Sequence, residues 1–305
     1  MDRRFRVLVL GDVMLDSYVF VSTERMCQEA PIPVWDEVRR DDRLGGAANV
    51  AHNIKILGKD DVDVYLAGVV GLGKTYDLLR GANIDTTYCF AGSSMIKRRY
   101  VDERSSKIIA RFDNIKKIDD SSVEFFELMV NSCLDVESFD IVVVSDYDKG
   151  SITERLARRI SRESSLSIVD SKRKNLLMYG GFTIVKMNEN EASVQTSVRE
   201  YTNFESLFQY CIVTKGSNGA ELRQCRDHTD SRYVVDVENF STKCVKAKDV
   251  TGCGDTHTAA LAYFMLRNRD VRLAIAFANE IASGVVTKFG TSVPDDLNHI
   301  QENVI

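Results

Sequence analysis

Short apolar runs alternate with amphipathic runs along most of the chain. A short apolar run bounded by turn residues predicts a buried strand, whereas apolar positions three to four residues apart predict a helix. The predicted strands are 5–10, 62–67, 140–145, 166–170, 182–187, 211–214, 219–224, 231–237 and 241–246, and the predicted helices are about 50–57, 121–134, 151–163, 189–198, 254–267 and 270–288. This alternation predicts an α/β fold with a doubly wound, mostly parallel sheet flanked by helices.

Two polar, strand-like stretches interrupt this alternation. Residues 12–44 combine Arg, Glu and Asp with a strand-like segment at 34–38, which is too polar for a central strand and predicts an exposed flap. Residues 94–112 predict a hairpin that carries five cations: Lys97, Arg98, Arg99, Lys107 and Arg111. Alternation along a strand places Lys97 and Arg99 on one face. The hairpin is then either a charge-protected sheet edge or a lid that binds an anionic substrate.

Composition indicates one large domain that handles small molecules. The 305 residues are 44% hydrophobic and 28% charged, which suits a single α/β domain over residues 1–305. The net charge is −5 with both signs interspersed, so neither a nucleic-acid face nor a polybasic membrane segment is expected. The seven cysteines include no C-x-x-C pair, which argues against a disulfide framework and a zinc site. With no signal-like N-terminus and no long apolar run, we expect a cytoplasmic protein.

A glycine turn precedes the predicted helix at 254–267. Gly252 and Gly254 flank Cys253, and glycines let the backbone approach a ligand closely. The free N–H groups and the positive dipole end of a helix start favour an anion such as a phosphate there. Asp255 follows and allows two interpretations: a base that takes the proton of a hydroxyl attacking that phosphate, or a simple helix N-cap.

Polar residues also follow the first predicted strand. Asp12 and Asp16 lie just beyond it, at the edge where ligands bind in open α/β sheets. They are either acceptors for the hydroxyls of a polyol or ordinary loop aspartates. Gly45, Gly46 and Asn49 open the helix at about 50–57, so a second glycine-rich helix start is available for close approach to a ligand.

The segment from Gly68 to Thr75 satisfies G-x-x-x-x-G-K-[ST], the P-loop pattern. A P-loop NTPase would use Lys74 for the nucleotide phosphates, with Asp146 at the end of a later apolar strand as a magnesium carboxylate. Only a short helix fits between Thr75 and the turn-like residues 83–87, which weakens this hypothesis because helices usually run to about three turns.

The order of several motifs resembles the ribokinase (PfkB) family of sugar kinases over nearly the full length of the chain. The motifs are Gly11-Asp12, Gly45-Gly46-x-x-Asn49, Asn188-x-x-Glu191, Thr214-Lys215-Gly216 and Asp249-x-Thr251-Gly252-x-Gly254-Asp255. The resemblance implies a ribokinase-like fold with a small β lid, ATP and Mg²⁺ as cofactors, compatibility with K⁺, and a homodimer formed through the lid segments. It also implies that the P-loop match is coincidental.

The same resemblance assigns the site residues. It makes Asp255 the base and places the amides of Gly252, Cys253 and Gly254 around the transferring phosphoryl group. The sugar-contacting positions it implies are Asp12, Asp16, Gly45, Gly46 and Asn49. The positions matching Mg²⁺ and its waters are Asn188 and Glu191, and those matching the nucleotide site are Thr214, Gly216, Gly219 and Asn279. The candidates that we add for a substrate phosphate are the hairpin cations Lys97, Arg99 and Arg111.

Within the family, the chain most resembles heptose 7-phosphate kinases. The segments that carry this resemblance are 11–16, 29–34, 45–51, 145–150 and 290–292. It implies transfer of the ATP γ-phosphoryl group to the anomeric hydroxyl of a heptose 7-phosphate, on the route to ADP-heptose. Cys253 replaces the usual alanine, and segments 72–90 and 192–210 are short for the family. These departures keep two alternatives open: another sugar kinase of this family, and a non-catalytic member that only binds sugar phosphate or nucleotide.

Overall fold

The computed structural model describes residues 3–197, 204–226 and 234–292. Its strands are β1 (Phe5–Gly11), β2 (Val13–Met26), β3 (Pro33–Gly46), β4 (Val62–Gly71), β5 (Asp85–Gly92), β6 (Ile96–Asp102), β7 (Ile108–Asn114), β8 (Ile141–Asp146), β9 (Ser167–Ser171), β10 (Ile184–Asn188), β11 (Tyr210–Thr214), β12 (Ala220–Arg226) and β13 (Val234–Phe240). Its α-helices are α1 (Ala47–Gly58), α2 (Lys74–Gly81), α3 (Asp120–Val136), α4 (Glu154–Glu163), α5 (Glu189–Ser197), α6 (Cys253–Asn268) and α7 (Val271–Val285).

In the described part of the chain these strands form two sheets. The larger has nine strands in the order β13-β12-β11-β10-β9-β8-β1-β4-β5. Every neighbouring pair from β11 to β5 is parallel, while β12 and β13 add an antiparallel edge. The chain leaves β1 toward β4 and later returns to build β8 to β11 on the other side, which is the doubly wound arrangement. The predicted fold class is confirmed.

Helices cover both faces of the large sheet. Side chains of α1, α2, α6 and α7 pack on one face and those of α3, α4 and α5 on the other. Strands covered on both faces read as near-continuous apolar runs, which is why β1 and β8 could be predicted from the sequence. Among the described helices, none is both long and apolar enough to cross a membrane.

The smaller sheet, in the order β3-β2-β6-β7, is the lid. It is tied to the main body beside the carboxyl ends of the parallel strands: the Lys97 ammonium of β6 lies 4.5 Å from the ring centroid of Tyr147, which directly follows β8. Arg43 of β3 donates to the carbonyls of Phe289 at 2.6 Å and Thr291 at 3.1 Å. The predicted flap and hairpin are therefore one sheet beside the carboxyl ends of the parallel strands.

Two details differ from the predictions. Residues predicted as a turn at 83–87 contribute to strand β5, which pairs with β4 as an edge of the large sheet. This edge strand contains few apolar residues and its side chains are at most half-buried. It therefore lacks the apolar run by which a buried strand is predicted from sequence. The predicted strand at 241–246 is irregular instead. Residues 231–233 of another predicted strand, and residue 198 of a predicted helix, lie outside the described residues.

The P-loop hypothesis is wrong for the segment that suggested it. Gly68 to Gly71 lie inside β4, where they pair with residues 89–92 of β5. Strand residues direct their backbone N–H groups into the ladder, so they cannot surround a phosphate as a P-loop does. Asp146 is also unsuited to magnesium, because it is fully buried and bonded to Tyr179 and Arg173.

Candidate active site

The start of α6 is built around a glycine that no other residue could replace without strain. Gly252 is the N-cap and lies in the left-handed region at φ +77°. A Cβ there would come within 2.9 Å of Thr291 Cγ2 and 3.0 Å of Asn49 Nδ2. The turn therefore places the helix N-terminus, with its favourable field for anions, directly against Asn49. The Cys253 N–H, predicted to face that anion, donates to the Val250 carbonyl at 3.2 Å in this structure.

Asp255 is held by two donors in a buried position. The Tyr147 hydroxyl donates to its Oδ1 at 2.7 Å, and Asn49 Nδ2 donates to its Oδ2 at 2.9 Å. Burial raises the pKa of Asp255, against the opposing effect of these two hydrogen bonds. Because the N-cap is Gly252, the N-cap interpretation of Asp255 is wrong. A fixed carboxylate with a raised pKa at a helix N-terminus is suited to accept a proton.

Asn49 owes its orientation to the next turn of α1. Its Oδ1 accepts a hydrogen bond from Asn53 Nδ2 at 3.0 Å. Since an amide oxygen faces Asn53, the amide nitrogen must face Asp255. Asn53, which was not among the predicted residues, therefore positions the side chain that positions the candidate base.

Asp16 and Arg99 form a buried ion pair on the inner face of the lid. Arg99 Nη1 lies 2.6 Å from Asp16 Oδ1, and both side chains are less than a tenth exposed. Gly45 leaves room for this carboxylate, since a Cβ at Gly45 would lie 2.6 Å from Asp16 Oδ2. Arg99 is thus neutralised within the protein, which makes it a partner of Asp16 more than a free cation for a phosphate.

Asp12 does not face the cleft, contrary to its predicted sugar contact. It is fully buried, accepts the N–H groups of Tyr147 at 2.7 Å and Lys149 at 3.1 Å, and accepts the Ser151 hydroxyl. Its carboxylate therefore anchors the loop that carries Tyr147. Gly46, at φ +59°, lies against the Asp12 backbone, and a Cβ at Gly46 would clash with the Asp12 carbonyl oxygen at 2.3 Å.

Lys97 and Arg111, the other two candidates for a substrate phosphate, differ in their surroundings. Lys97 is the more buried, and burial lowers its pKa. No carboxylate of the described residues lies within ion-pairing distance of its ammonium, which rests on the Tyr147 ring. Arg111 is exposed and paired with Asp113 at 2.9 Å, opposite Arg99 on the neighbouring strand. Of the three phosphate candidates Lys97, Arg99 and Arg111, Lys97 is the one whose charge the described protein leaves unpaired.

A cavity of about 220 Å³ lies on the other side of the α6 N-terminus. The predicted nucleotide residues that line it are Thr214, Gly216, Gly219 and Asn279, together with Cys253 and Gly254. Apolar side chains of residues 245, 247, 250, 282 and 286 complete the wall. The Asn279 side-chain amide donates to the carbonyls of Phe240 at 3.1 Å and Ser241 at 3.3 Å. These hydrogen bonds hold the backbone of residues 240–241 against α7 at the cavity wall. An apolar cavity that ends at a helix N-terminus fits a nucleotide, with the nucleobase in the apolar part and the phosphates at the helix N-terminus.

Asn188 and Glu191 form a reciprocal cap at the start of α5. The Asn188 N–H donates to a Glu191 carboxylate oxygen at 2.8 Å, and the Glu191 N–H donates to Asn188 Oδ1 at 2.9 Å. This capping box accounts for the spacing of the motif. Lys172 lies 3.0 Å from the other Glu191 oxygen. Oxygen donors are what Mg²⁺ requires; because these oxygens already accept hydrogen bonds, the pair fits an ion held through water.

Lys186 is a site residue that motif searching did not find. It is 2% exposed, lies 2.6 Å from Asp170 Oδ2, and donates to the Gly254 carbonyl at 3.1 Å. Burial alone would raise the pKa of Asp170, but Lys172 and Lys186 hold it below its usual range. The only signal in the sequence is one lysine inside the apolar run 182–187, where a buried charge needs a partner.

Known proteins are similar to this chain over most of its length. The profile of the pfkB family of carbohydrate kinases matches residues 4–297. A protein of Helicobacter hepaticus named bifunctional protein HldE is 29% identical over 304 residues, which are 94% of this chain and 61% of that protein. The HldE of Campylobacter curvus is 30% identical over 313 residues, covering 96% of this chain and 64% of that protein. The chain therefore spans less than two thirds of these relatives.

Solved structures agree on the fold. Phosphofructokinase-2 from Escherichia coli, described in complex with potassium, matches this chain with a TM-score of 0.72 at 18% identity. The match covers 99% of this chain and 98% of the phosphofructokinase chain. Ribokinase from Thermotoga maritima has a TM-score of 0.70 at 17% identity, covering 98% and 99%. The profile match over residues 4–297 leads to one conclusion: the chain belongs to the pfkB family of carbohydrate kinases.

Proposed function

We propose that this protein is an ATP-dependent kinase that phosphorylates the anomeric hydroxyl of a heptose 7-phosphate. The observation that carries the proposal is the position of Asp255, between the cavity of the predicted nucleotide residues and the cluster of Asn49, Tyr147 and Lys97. A base placed at a helix N-terminus between two sites suits transfer of a phosphoryl group from one to the other.

The step is a direct transfer. The sugar hydroxyl oxygen forms a bond to the γ-phosphorus of ATP, the bond from phosphorus to the bridging oxygen breaks, and ADP leaves. The hydroxyl proton passes to Asp255. Gly252 lets the α6 N-terminus approach the phosphoryl group, and Lys186, which is paired with Asp170, holds this turn in place by donating to the Gly254 carbonyl. Mg²⁺, when bound through water at Asn188 and Glu191, would neutralise phosphate charge.

The sugar would lie under the lid. Asp16 offers an oxygen acceptor to a sugar hydroxyl, and Gly45 leaves room for its carboxylate. A substrate phosphate at the far end of the sugar needs a cation. Lys97 is unpaired within the described residues, and Arg111 is exposed near it on the adjoining strand. These two are the phosphate ligands that the lid supplies best.

The test compares kcat/KM for a heptose 7-phosphate and for the unphosphorylated heptose. We expect the wild type to prefer the phosphate, and Lys97→Met or Arg111→Ala to reduce that preference by about 10- to 150-fold, the value of one charge-assisted contact. The matched control is Arg104→Ala, an exposed cation of the same hairpin. A wild type without preference, or both variants with the full preference, would contradict the substrate assignment.

The product of this reaction would be a heptose 1,7-bisphosphate, a precursor for ADP-heptose synthesis. A non-catalytic family member is the alternative, and it predicts sugar-phosphate or nucleotide binding without ADP release. Cytoplasmic location and compatibility with K⁺ remain predictions. The second is tested by assaying the enzyme with K⁺ replaced by tetramethylammonium at equal ionic strength.

A further inference from the structure

Tyr147 connects the candidate base to the lid. Its hydroxyl donates to Asp255 Oδ1 at 2.7 Å, and the Lys97 ammonium lies 4.5 Å from its ring centroid. Its backbone N–H donates to the fully buried carboxylate of Asp12 at 2.7 Å. Three independent contacts therefore fix its backbone, its ring and its hydroxyl.

The hydroxyl restricts how Asp255 can turn. Asn49 holds Oδ2 at 2.9 Å while Tyr147 holds Oδ1, so rotation of the carboxylate would break both hydrogen bonds at once. Each carboxylate oxygen has two lone-pair directions. Either oxygen can thus accept a sugar hydroxyl in addition to its protein donor, and the base keeps its orientation while substrate binds.

We propose that Tyr147 is a positioning residue for Asp255: its hydroxyl keeps the carboxylate ionised and aimed at the sugar, and its ring seats Lys97 of the lid beside the same group. This inference rests on the proposed function, in which Asp255 takes the proton. Tyr147 then controls both the basicity of Asp255, through its hydroxyl, and the position of Lys97, through its ring.

The hydroxyl acts on basicity because a donor stabilises the charged form of a carboxylate. Burial raises the pKa of Asp255, and the Asn49 and Tyr147 hydrogen bonds oppose that rise. Other titratable groups facing Asp255 or its neighbours are Asp16, Lys97, Asp170, Lys172, Lys186 and Cys253. Tyr147→Phe removes only the hydroxyl and substitutes none of these six groups. Tyr147→Phe should therefore raise the pKa of Asp255 and reduce the ionised fraction at a given pH.

The experiment measures the pH profile of kcat/KM with sugar phosphate in saturating ATP. A hydrogen bond to a charged group is worth about 1.5–3 kcal/mol, so the acid limb of Tyr147→Phe should move up by about one pH unit or more. Tyr147→Leu should show the same movement, because it also lacks the hydroxyl, and additionally a higher KM for the sugar phosphate, because Lys97 loses the ring.

The matched control is Tyr179→Phe, which removes another buried hydroxyl that donates to a carboxylate, that of Asp146. It should lower stability and leave the acid limb in place. His257 does not interfere, since burial lowers its pKa to about 3. An acid limb that stays fixed in both Tyr147 variants while the wild type is active would overturn the inference.

A second measurement is independent of turnover. The Asp255 carboxyl can be titrated by carbon NMR of side-chain-labelled aspartate, with its signal assigned by its absence in Asp255→Asn. The Asp255 pKa should be higher in folded Tyr147→Phe than in wild type, and an equal value contradicts the inference. If the wild type phosphorylates no sugar but the Asp255 pKa is still higher in Tyr147→Phe, the proposed function is contradicted and the role of Tyr147 in positioning Asp255 is not.

Discussion

Substitution of Gly252 by alanine tests how the glycine turn organises the candidate site. An alanine held at φ +77° costs about 1–2 kcal/mol because its Cβ crowds the backbone. The same Cβ would meet Thr291 Cγ2 at 2.9 Å, Asn49 Nδ2 at 3.0 Å and Thr291 Cα at 3.3 Å. Crowding of this kind typically costs about 1–3 kcal/mol. We therefore expect Gly252→Ala to lower the free energy of unfolding by about 2–5 kcal/mol.

Activity should fall further than stability suggests. Asn49, which the new Cβ displaces, donates to Asp255, and a shift of about 1 Å in a reacting group can cost 10²-fold in rate. The assay is urea unfolding followed by circular dichroism, together with ADP release at saturating substrates. The control is Gly216→Ala, at φ +54° with no atom within 4 Å of a Cβ, which isolates the backbone cost of about 1–2 kcal/mol. Equal stability of the two variants, with kcat intact in Gly252→Ala, would refute this reasoning.

Two further predictions concern the rest of the chain. Lys74→Ala should leave ATP binding and turnover intact, because Gly68 lies in a strand and no phosphate loop forms there; loss of ATP binding would revive the P-loop hypothesis. A homodimer should form through the lid, whose outer surface exposes Trp35, Val38 and Phe112 and whose edge strands have no partner strand among the described residues. Sedimentation at micromolar concentration checks this, and a monomer would contradict it.

The elements that the sequence predicts well are those whose residues carry a local signal. Strand β1 is a run of apolar residues, and the capping box of Asn188 and Glu191 is a fixed spacing. The glycine turn at Gly252 is also local, since its left-handed backbone conformation at φ +77° favours glycine. Each of these features is fixed by neighbours a few residues away, so a motif in the sequence is enough to locate it.

Contacts between distant segments could not be predicted in this way. Asp12 and Asp16 look equivalent in the sequence, yet Asp12 is enclosed by a loop 135 to 139 residues away and Asp16 pairs with Arg99. Lys186 is a single charge in an apolar strand, and only the approach of Asp170 and α6 explains it. Which carboxylate faces the cleft depends on tertiary packing, for which one sequence holds no local signal.

The most direct test of the central claim is single-turnover phosphoryl transfer by Asp255→Asn. The asparagine keeps the shape of the side chain and removes the proton acceptor, so we expect the transfer rate to fall by about 10²–10⁴-fold. Binding of ATP, measured by calorimetry, should be largely retained, because the nucleotide cavity is lined by other residues. Transfer at the wild-type rate in a variant that binds ATP normally would show that Asp255 is not the base.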